Sequence, residues 1–315
     1  MGEEKENGML NFGDLYRNHG DRETARLVEI ERDTRFEDAT NIQFTSGTTG
    51  YPKGATLSHH NILNNAKYIC DVLDYSPEER ICVPVPLYHC FGMVIGNLGA
   101  LTNGASVIYP SEGFDVMATL EAVQKHGATS VYGVPTMFVA MLEQQKKTPY
   151  DISSLKKGLM AGSICPEQLM KRIDDEMNGL KVSIAYGMTE MAPVTFQTTL
   201  SDPFHKKTTT VGRVHPFVES KVVDEQGSIV PRGEKGEVYF RGYNRMLGYW
   251  NDDEKTRESI DSQGWMRSGD QGTIDAEGYL QIVGRVKDMV IRGGENIYPI
   301  EVEEFLLTHP NISDA

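Results

Sequence analysis

Between Ile81 and Tyr186 the chain alternates in a way few folds tolerate. Short runs rich in β-forming residues, at 81–86, 105–110, 129–133 and 182–186, are separated by segments long enough for a helix. Parallel strands cannot be joined by a tight turn and need a crossover of a dozen residues or more. The alternation therefore predicts an α/β fold: a mostly parallel sheet core with flanking helices. Helices are expected at 114–126, after the turn Ser111-Glu112-Gly113, and at 166–178, with Pro166 at the first helical position. Ligands of such sheets bind at the carboxyl ends of the strands, and the loop motifs described below fall there.

From Val211 to about Arg285 the texture changes to strands and tight turns. Glu225-Gln226-Gly227 and Asp275-Ala276-Glu277-Gly278 read as hairpin connections, so a smaller β-rich subdomain is expected. Pro299 then opens a helix in which Ile300, Val302, Phe305 and Leu306 form the apolar set. The expected division is 1–40, 41–210, 211–286 and 287–315.

The stretch Thr45-Ser46-Gly47-Thr48-Thr49-Gly50-Tyr51-Pro52-Lys53-Gly54 leaves little side chain to pack. Glycines let backbone N–H groups approach a ligand closely, so such a run can wrap an anion. The hydroxyls of Thr45, Ser46, Thr48 and Thr49 add donors, and Lys53 adds a positive charge. Apolar Ile42 and Phe44 precede it and suit a short buried strand. A Ser58-capped helix with Ile62, Ala66, Ile69 and Leu73 on one face follows. The reading is a strand–phosphate loop–helix unit, against the simpler alternative of a surface loop. The P-loop of nucleotide triphosphatases is excluded, because Pro52 stands before Lys53 and Gly54 after it.

Further segments carry side chains suited to chemistry. Tyr186-Gly187-Met188-Thr189-Glu190 offers a ring for a purine face, a hydroxyl for a phosphate and a hard oxygen for Mg²⁺. Asp270, after Gly269, can accept from two ribose hydroxyls, and Arg285 stands downstream. Pro86 to Gly92 contains His89 beside Tyr88 and Phe91, a combination that also occurs as ordinary structure. Val131-Tyr132-Gly133-Val134-Pro135-Thr136-Met137-Phe138 and Leu159-Met160-Ala161-Gly162-Ser163 combine small residues with adaptable Met137 and Met160, and each can equally be a plain strand end.

Composition narrows the partners. The chain of 315 residues carries 31 basic and 45 acidic residues, a net charge of −14. A chain this acidic is a poor general binder of nucleic acid or anionic membrane. Its four cysteines show no Cys-x-x-Cys and no zinc spacing, which points to buried thiols in a reducing compartment. No apolar run approaches the roughly 20 residues needed to span a bilayer. The first forty residues hold eleven acids against six bases, unlike a secretory signal or an Arg-rich transit peptide.

In spelling and order, the loop at 45–54, Tyr186 to Glu190, Trp265 to Asp270, Gly284 to Asp288 and Arg292 to Pro299 resemble the adenylate-forming enzymes: acyl-CoA synthetases, luciferases and amino-acid-activating domains. Asn41 to Phe44 running into the loop, and Pro86-Leu87-Tyr88-His89-Cys90, resemble the medium-chain acyl-CoA synthetases of the family-member-2 type. The resemblance implies ATP, Mg²⁺ and CoA as cofactors and a fatty acid as substrate. It implies catalytic roles for Thr189, Glu190 and Lys53, with Glu190 as the metal ligand. Thr45, Ser46, Gly47, Thr48, Thr49, Gly50, Gly162, Ser163, Tyr186, Gly187, Asp270 and Arg285 would hold the nucleotide. His89, Tyr132, Gly133 and Met137 would line the acyl side, with His89 near the carboxylate, and Lys287 would be the hinge.

With His89-Cys90 where amino-acid-activating relatives place an acid, the expected substrate is a plain carboxylic acid with an apolar tail. The segment Gly236 to Gly242 through Met246-Leu247-Gly248-Tyr249-Trp250 also resembles the family and reads as structural. By resemblance 1–40 is an acidic leader, 41–210 an ATP- and acyl-binding core, 211–286 the β-rich subdomain, and 287–315 the hinge and the beginning of a C-terminal domain. The family's catalytic lysine lies in a C-terminal motif that this sequence does not contain, and the chain reads as cut at both ends. Two alternatives stay open: a nucleotide- and acyl-binding remnant with little turnover, or an adenylate-former delivering to a carrier protein. Close relatives imply a mitochondrial location, the alternative being cytoplasmic.

Overall fold

The computed structural model describes residues 20–45, 52–163, 165–286, 288, 290–292, 295–297, 299–307, 309 and 312. Residues up to Asp38 form a unit of their own. Its helix α1 (Asp21–Asp33) starts with Glu23 reaching back to the Gly20 N–H at 3.0 Å and has no buried residue.

The remainder, from Ala39 onward, is built on three sheets and a small hairpin. Strands β1 (Ala39–Thr45) and β2 (Lys53–Ser58) run antiparallel, with Thr45 opposite Lys53. Helix α2 (His59–Val72) follows directly, capped by the Ser58 hydroxyl accepting from the Asn61 N–H at 3.2 Å. Ile62, Ala66, Ile69 and Leu73 are buried along its face, as the spacing requires.

The expected strand–loop–helix unit is therefore corrected to a hairpin: a second strand stands between loop and helix. The reason is pairing on both sides, because β2 lies between β1 and the short strand described below, and it buries Ala55 and Leu57 completely. A second correction concerns β1, where Gln43 points inward at 7% exposure while Phe44 is 71% exposed. Strand alternation forces one or the other, and Ile42 and Phe44 instead lie over Gly54.

The central sheet contains β3 (Arg80–Cys82), β4 (Ser106–Ile108), β5 (Ser130–Gly133), β6 (Lys157–Ala161), β7 (Lys181–Gly187), β8 (Val194–Gln197) and β9 (Arg213–Val214). Its order is β4-β3-β5-β6-β7-β8-β9. The pairs from β4 through β7 are parallel and the last two antiparallel. A π-helical run at Phe91–Leu98 continues into α3 (Gly99–Thr102). The crossovers are α4 (Val116–His126), α5 (Pro135–Lys147) and α6 (Glu167–Glu176). Asp115 caps α4 by accepting from the Ala118 N–H at 2.9 Å, and Pro166 sits one position before α6 begins.

Alternate side chains of the parallel strands enter opposite cores. Val131, Met160 and Ile184 meet Leu120, Phe138, Met141 and Leu169 on one face. Tyr132, Leu159 and Ala185 meet Ile69, Phe91 and Ile95 on the other. Period-two burial on both faces is the signature of a parallel sheet sandwiched between helices.

Helix α7 (Phe204–Thr209) precedes β9. The expected β-rich part is an antiparallel sheet in the order β10-β11-β13-β14, made of β10 (Val218–Val223), β11 (Gly236–Gly242), β13 (Met266–Ile274) and β14 (Leu280–Arg285). Asp275 accepts from the Glu277 and Tyr279 N–H groups, each at 2.9 Å, making the tight turn between β13 and β14. The turn at 225–227 forms too, but inside a longer connection that ends at Gly236.

Strand β12 (Gly248–Tyr249) pairs with β2, and α8 (Asp253–Ser259) follows it. Strands β15 (Val290–Arg292) and β16 (Glu295–Ile297) form the small hairpin, and α9 (Pro299–Leu307) comes after it. Of the apolar set expected in α9, Val302, Phe305 and Leu306 are exposed, and the Ile300 side chain lies outside what is described.

Candidate functional site

Because β3 to β7 run parallel, the segments after β3, β5, β6 and β7 emerge along one edge of the sheet. Those segments carry His89, Gly133 with Met137, Gly162 with Ser163, and Thr189 with Glu190. Strand β7 is also where the sheet changes from parallel to antiparallel pairing.

Two tyrosine–carboxylate pairs are built on the end of β7. In the first, Glu190 sits in a 3-10 turn, Thr189–Met191, and is 7% exposed. Its Oε1 accepts from the Tyr249 hydroxyl at 2.7 Å, and its backbone carbonyl accepts from the Met246 N–H at 2.7 Å. The Lys53 ammonium lies 5.1 Å from the centre of the Tyr249 ring. Burial and the Glu190 charge push the Tyr249 phenol well above its ordinary pKa, so it remains a donor.

In the second pair the partners are exchanged. Tyr186, on β7, donates to Oδ2 of Asp270, on β13, at 2.5 Å. Arg285 Nε stands 3.5 Å from Oδ1 of the same carboxylate. Burial, followed by the Asp270 charge, raises the Tyr186 phenol far above its usual value. Asp270 is aimed by its neighbours: its N–H donates to the Ser268 hydroxyl at 3.0 Å, and Ser268 donates to the Val238 carbonyl at 2.6 Å.

Between the pairs, the backbone is compressed. A Cβ at Gly187 would fall 1.9 Å from the Pro193 carbonyl oxygen, so only glycine lets β7 end there. Asn244 fixes the far side of the turn by donating to the carbonyls of Met191 and Val194, at 2.9 and 3.0 Å. The buried Cys90 thiol is hydrogen bonded to Thr189; burial first, then the Glu190 charge, push it up to about 12, and it stays a thiol. Its neighbour His89 is exposed at the edge, its Nδ1 accepting from the Phe91 N–H at 3.0 Å, and local desolvation lowers its pKa. A neutral imidazole with hydrogen on Nε2 results.

The AMP-binding enzyme family matches residues 5–250. The chain belongs to that family. Among similar proteins of the AMP-binding family are the medium-chain acyl-CoA ligase ACSF2, mitochondrial, of Danio rerio and the acyl-CoA ligase sidI of Aspergillus fumigatus. The first is 47% identical over 98% of this chain and 51% of its own length, the second 45% identical over 92% and 50%. The chain thus spans about half the length of the curated relatives it matches. Among solved structures, ATP-bound MatB from Rhodopseudomonas palustris superposes with a TM-score of 0.82 at 30% identity, covering 90% of this chain and 55% of that one. The o-succinylbenzoate CoA synthetase of Bacillus subtilis, in complex with its acyl-adenylate OSB-AMP, gives 0.80 at 30% identity, covering 89% and 56%.

Of the residues singled out in the sequence, Thr189, Glu190, Lys53, Tyr186 and Asp270 are drawn together, with Arg285 beside Asp270. Gly187 lies between Tyr186 and Thr189. Thr45 is brought opposite Lys53 by the β1–β2 pairing. Gly162 (φ +94°) and Ser163 are exposed just past the end of β6, and Gly133 and Met137 border the end of β5. Ser46, Gly47, Thr48, Thr49, Gly50 and Lys287 lie outside the described residues.

Tyr132 is a correction: instead of lining a cleft, its ring is fully buried between Tyr75 and Phe91. Val131 and Gly133 flank it in β5, and strand alternation sends position 132 into the core. The opposite correction applies to the segment read as structural, since Tyr249 and Met246 there hold Glu190. A tyrosine in Gly-Tyr-Trp gives no local sign of its partner, which is 59 residues away.

Proposed function

We propose that this chain binds ATP and a carboxylic acid and joins them as an acyl-adenylate, the acid being a medium-chain fatty acid and the acyl group passing on to CoA. The convergence of Glu190 and Asp270 on the carboxyl end of β7 carries the reading. A carboxylate attacks the α-phosphorus, the bond to the bridging oxygen of pyrophosphate breaks, and negative charge gathers on phosphoryl oxygens. The residues must meet that charge with preorganised donors.

Thr189 is such a donor. Lys53, spaced by the Tyr249 ring, brings a cation toward the same charge. Asp270 receives the ribose hydroxyls, and Arg285 and Tyr186 keep its carboxylate aimed. Neutral His89 stands at the sheet edge where an uncharged acyl tail would enter past Met137.

Glu190 fits a Mg²⁺ site. Tyr249 occupies its Oε1, while Oε2 has no hydrogen bond to any described residue. Among the described residues no cluster of three or more His, Cys, Asp or Glu is gathered for a metal. One carboxylate completed by substrate phosphates is the usual protein share in holding Mg²⁺. Bound there, the ion would neutralise phosphate charge.

In this reading residues 41–210 hold ATP and the acyl group, 211–286 clamp the ribose, and 287–315, with Lys287 as hinge, begin a further domain. Relatives described as mitochondrial support a mitochondrial location. Among the described residues no helix is long and apolar enough to cross a membrane. The test is ATP–pyrophosphate exchange across a panel of fatty acids. Exchange that depends on the acid and peaks at medium chain length is expected; exchange indifferent to the acid would reject the proposal.

A further inference from the structure

A second cavity, of about 280 Å³, opens at the other end of the same sheet. Its walls are α6, the start of β7, the segment after β8, and α7. Leu180, Lys181 and Val182 belong to the amino end of β7, whereas Tyr186 to Glu190 lie at its carboxyl end. Seven residues at a rise of about 3.3 Å each place the two sites roughly 20 Å apart. About half of the lining is apolar, with Met170, Ile173, Leu180 and Phe204 among it, and Asp174, Lys181, Ser201 and Asp202 share the walls.

Into this lining projects Lys207, only 7% exposed. A buried ammonium carries three donors and is costly unless they are answered. Lys207 Nζ makes one hydrogen bond, to the Leu200 carbonyl at 2.7 Å, and among the described residues it has no carboxylate within ion-pair distance. Asp202, the acid on the adjacent segment, is already used: its Oδ2 accepts from the Thr199 N–H at 2.8 Å and its Oδ1 from the Tyr279 hydroxyl at 3.0 Å. Asp174 is held by Lys181 at 3.6 Å, where both side chains are more than half exposed. Desolvation lowers the Lys207 pKa, outweighing the opposite pull of the Asp202 charge.

A half-apolar chamber whose buried cation, Lys207, makes a single hydrogen bond among the described residues is complementary to an amphipathic anion. The volume lies just below the ~300 Å³ at which pockets for drug-sized ligands begin, so the occupant is small. We infer that the cavity between α6, β7 and α7 is a second binding site for a small monocarboxylate with a short alkyl tail, its carboxylate on Lys207. The inference stands on this cavity alone and does not depend on the adenylation chemistry proposed above. The site also adjoins the β13–β14 turn, which Lys206 grips through Asp275 and Glu277, both at 2.6 Å. The same hairpin carries Asp270 and Arg285 at its far end.

The test is methyl NMR of the full chain titrated with hexanoate and, separately, with the neutral isostere hexanamide. Saturable shifts of the Ile173, Leu180 and Leu200 methyls are expected with hexanoate, with affinity about tenfold or more above hexanamide, the scale of a charge-assisted hydrogen bond. Lys207→Met should remove that preference while keeping the melting temperature. Equal shifts from acid and amide, or hexanoate shifts confined to Met137 and Met188, would overturn the inference. The acid–amide comparison needs only the unmodified chain, so it decides the matter even if the variant does not fold.

Discussion

Glu190 with Tyr249 and Asp270 with Tyr186 are the same chemical pair built in opposite directions. In one the end of β7 supplies the acid and a short distant strand supplies the phenol. In the other β7 supplies the phenol, and the β13–β14 hairpin supplies the acid. The difference lies in what surrounds the charge. Glu190 is nearly sealed, with Lys53 held off behind a ring. The Asp270 side chain is 18% exposed and has Arg285 close by. A sealed carboxylate with one spare oxygen suits a compact, highly charged partner such as a metal–phosphate group. A more open carboxylate suits hydroxyl donors, which need room and direction. One strand end can therefore hold the two halves of a nucleotide differently.

The largest expected effect breaks the first pair. Glu190→Gln should lower ATP–pyrophosphate exchange on the order of 10²–10³-fold, the scale of losing one preorganised charge-stabilising group. Asp270→Asn comes next. It should weaken ATP binding by roughly ten- to a hundredfold, as expected for hydrogen bonds to a charged group, with kcat changed much less. Calorimetry and steady-state kinetics separate the two. Equal KM and kcat patterns in the two variants would mean that the pairs do the same job.

Sharper still is the exchange of phenols. Tyr249→Phe leaves Glu190 buried without its donor and should cost about tenfold in exchange rate, whereas Tyr186→Phe should mainly raise the KM for ATP, since Arg285 still aims Asp270. Lys53→Ala is expected to fall short of Glu190→Gln, because a mobile ammonium removes less charge stabilisation than a metal ligand. A loss equal to or greater than that of Glu190→Gln would reverse the ranking.

Much of this was legible in the sequence, for physical reasons. Strand and helix periods are local, so α2, the parallel strands and the β13–β14 turn could be read from their own residues. Motif order singled out Thr189, Glu190 and Asp270, and the structure brings Thr189 and Glu190 just past the end of β7 and Asp270 onto Tyr186 within it. Three features escaped local reading. Lys53–Ser58 became a strand because it pairs with β1 on one side and, on the other, with β12, almost 200 residues away in sequence. Tyr132 went to the core through alternation, although its neighbours Gly133 and Met137 border the strand end. Tyr249 looked structural because its partner, Glu190, lies on another element. For β12 and Tyr249 the deciding partner lies far away in sequence, and no window contains it.

The central claim is that both carboxylates face one nucleotide. A crystal structure of the chain with ATP and Mg²⁺ measures this directly. The expected density puts the ribose hydroxyls on Asp270 and the α-phosphate beside Thr189, with the metal on Glu190. A nucleotide that touches only one of the two acids, or neither, would contradict the account.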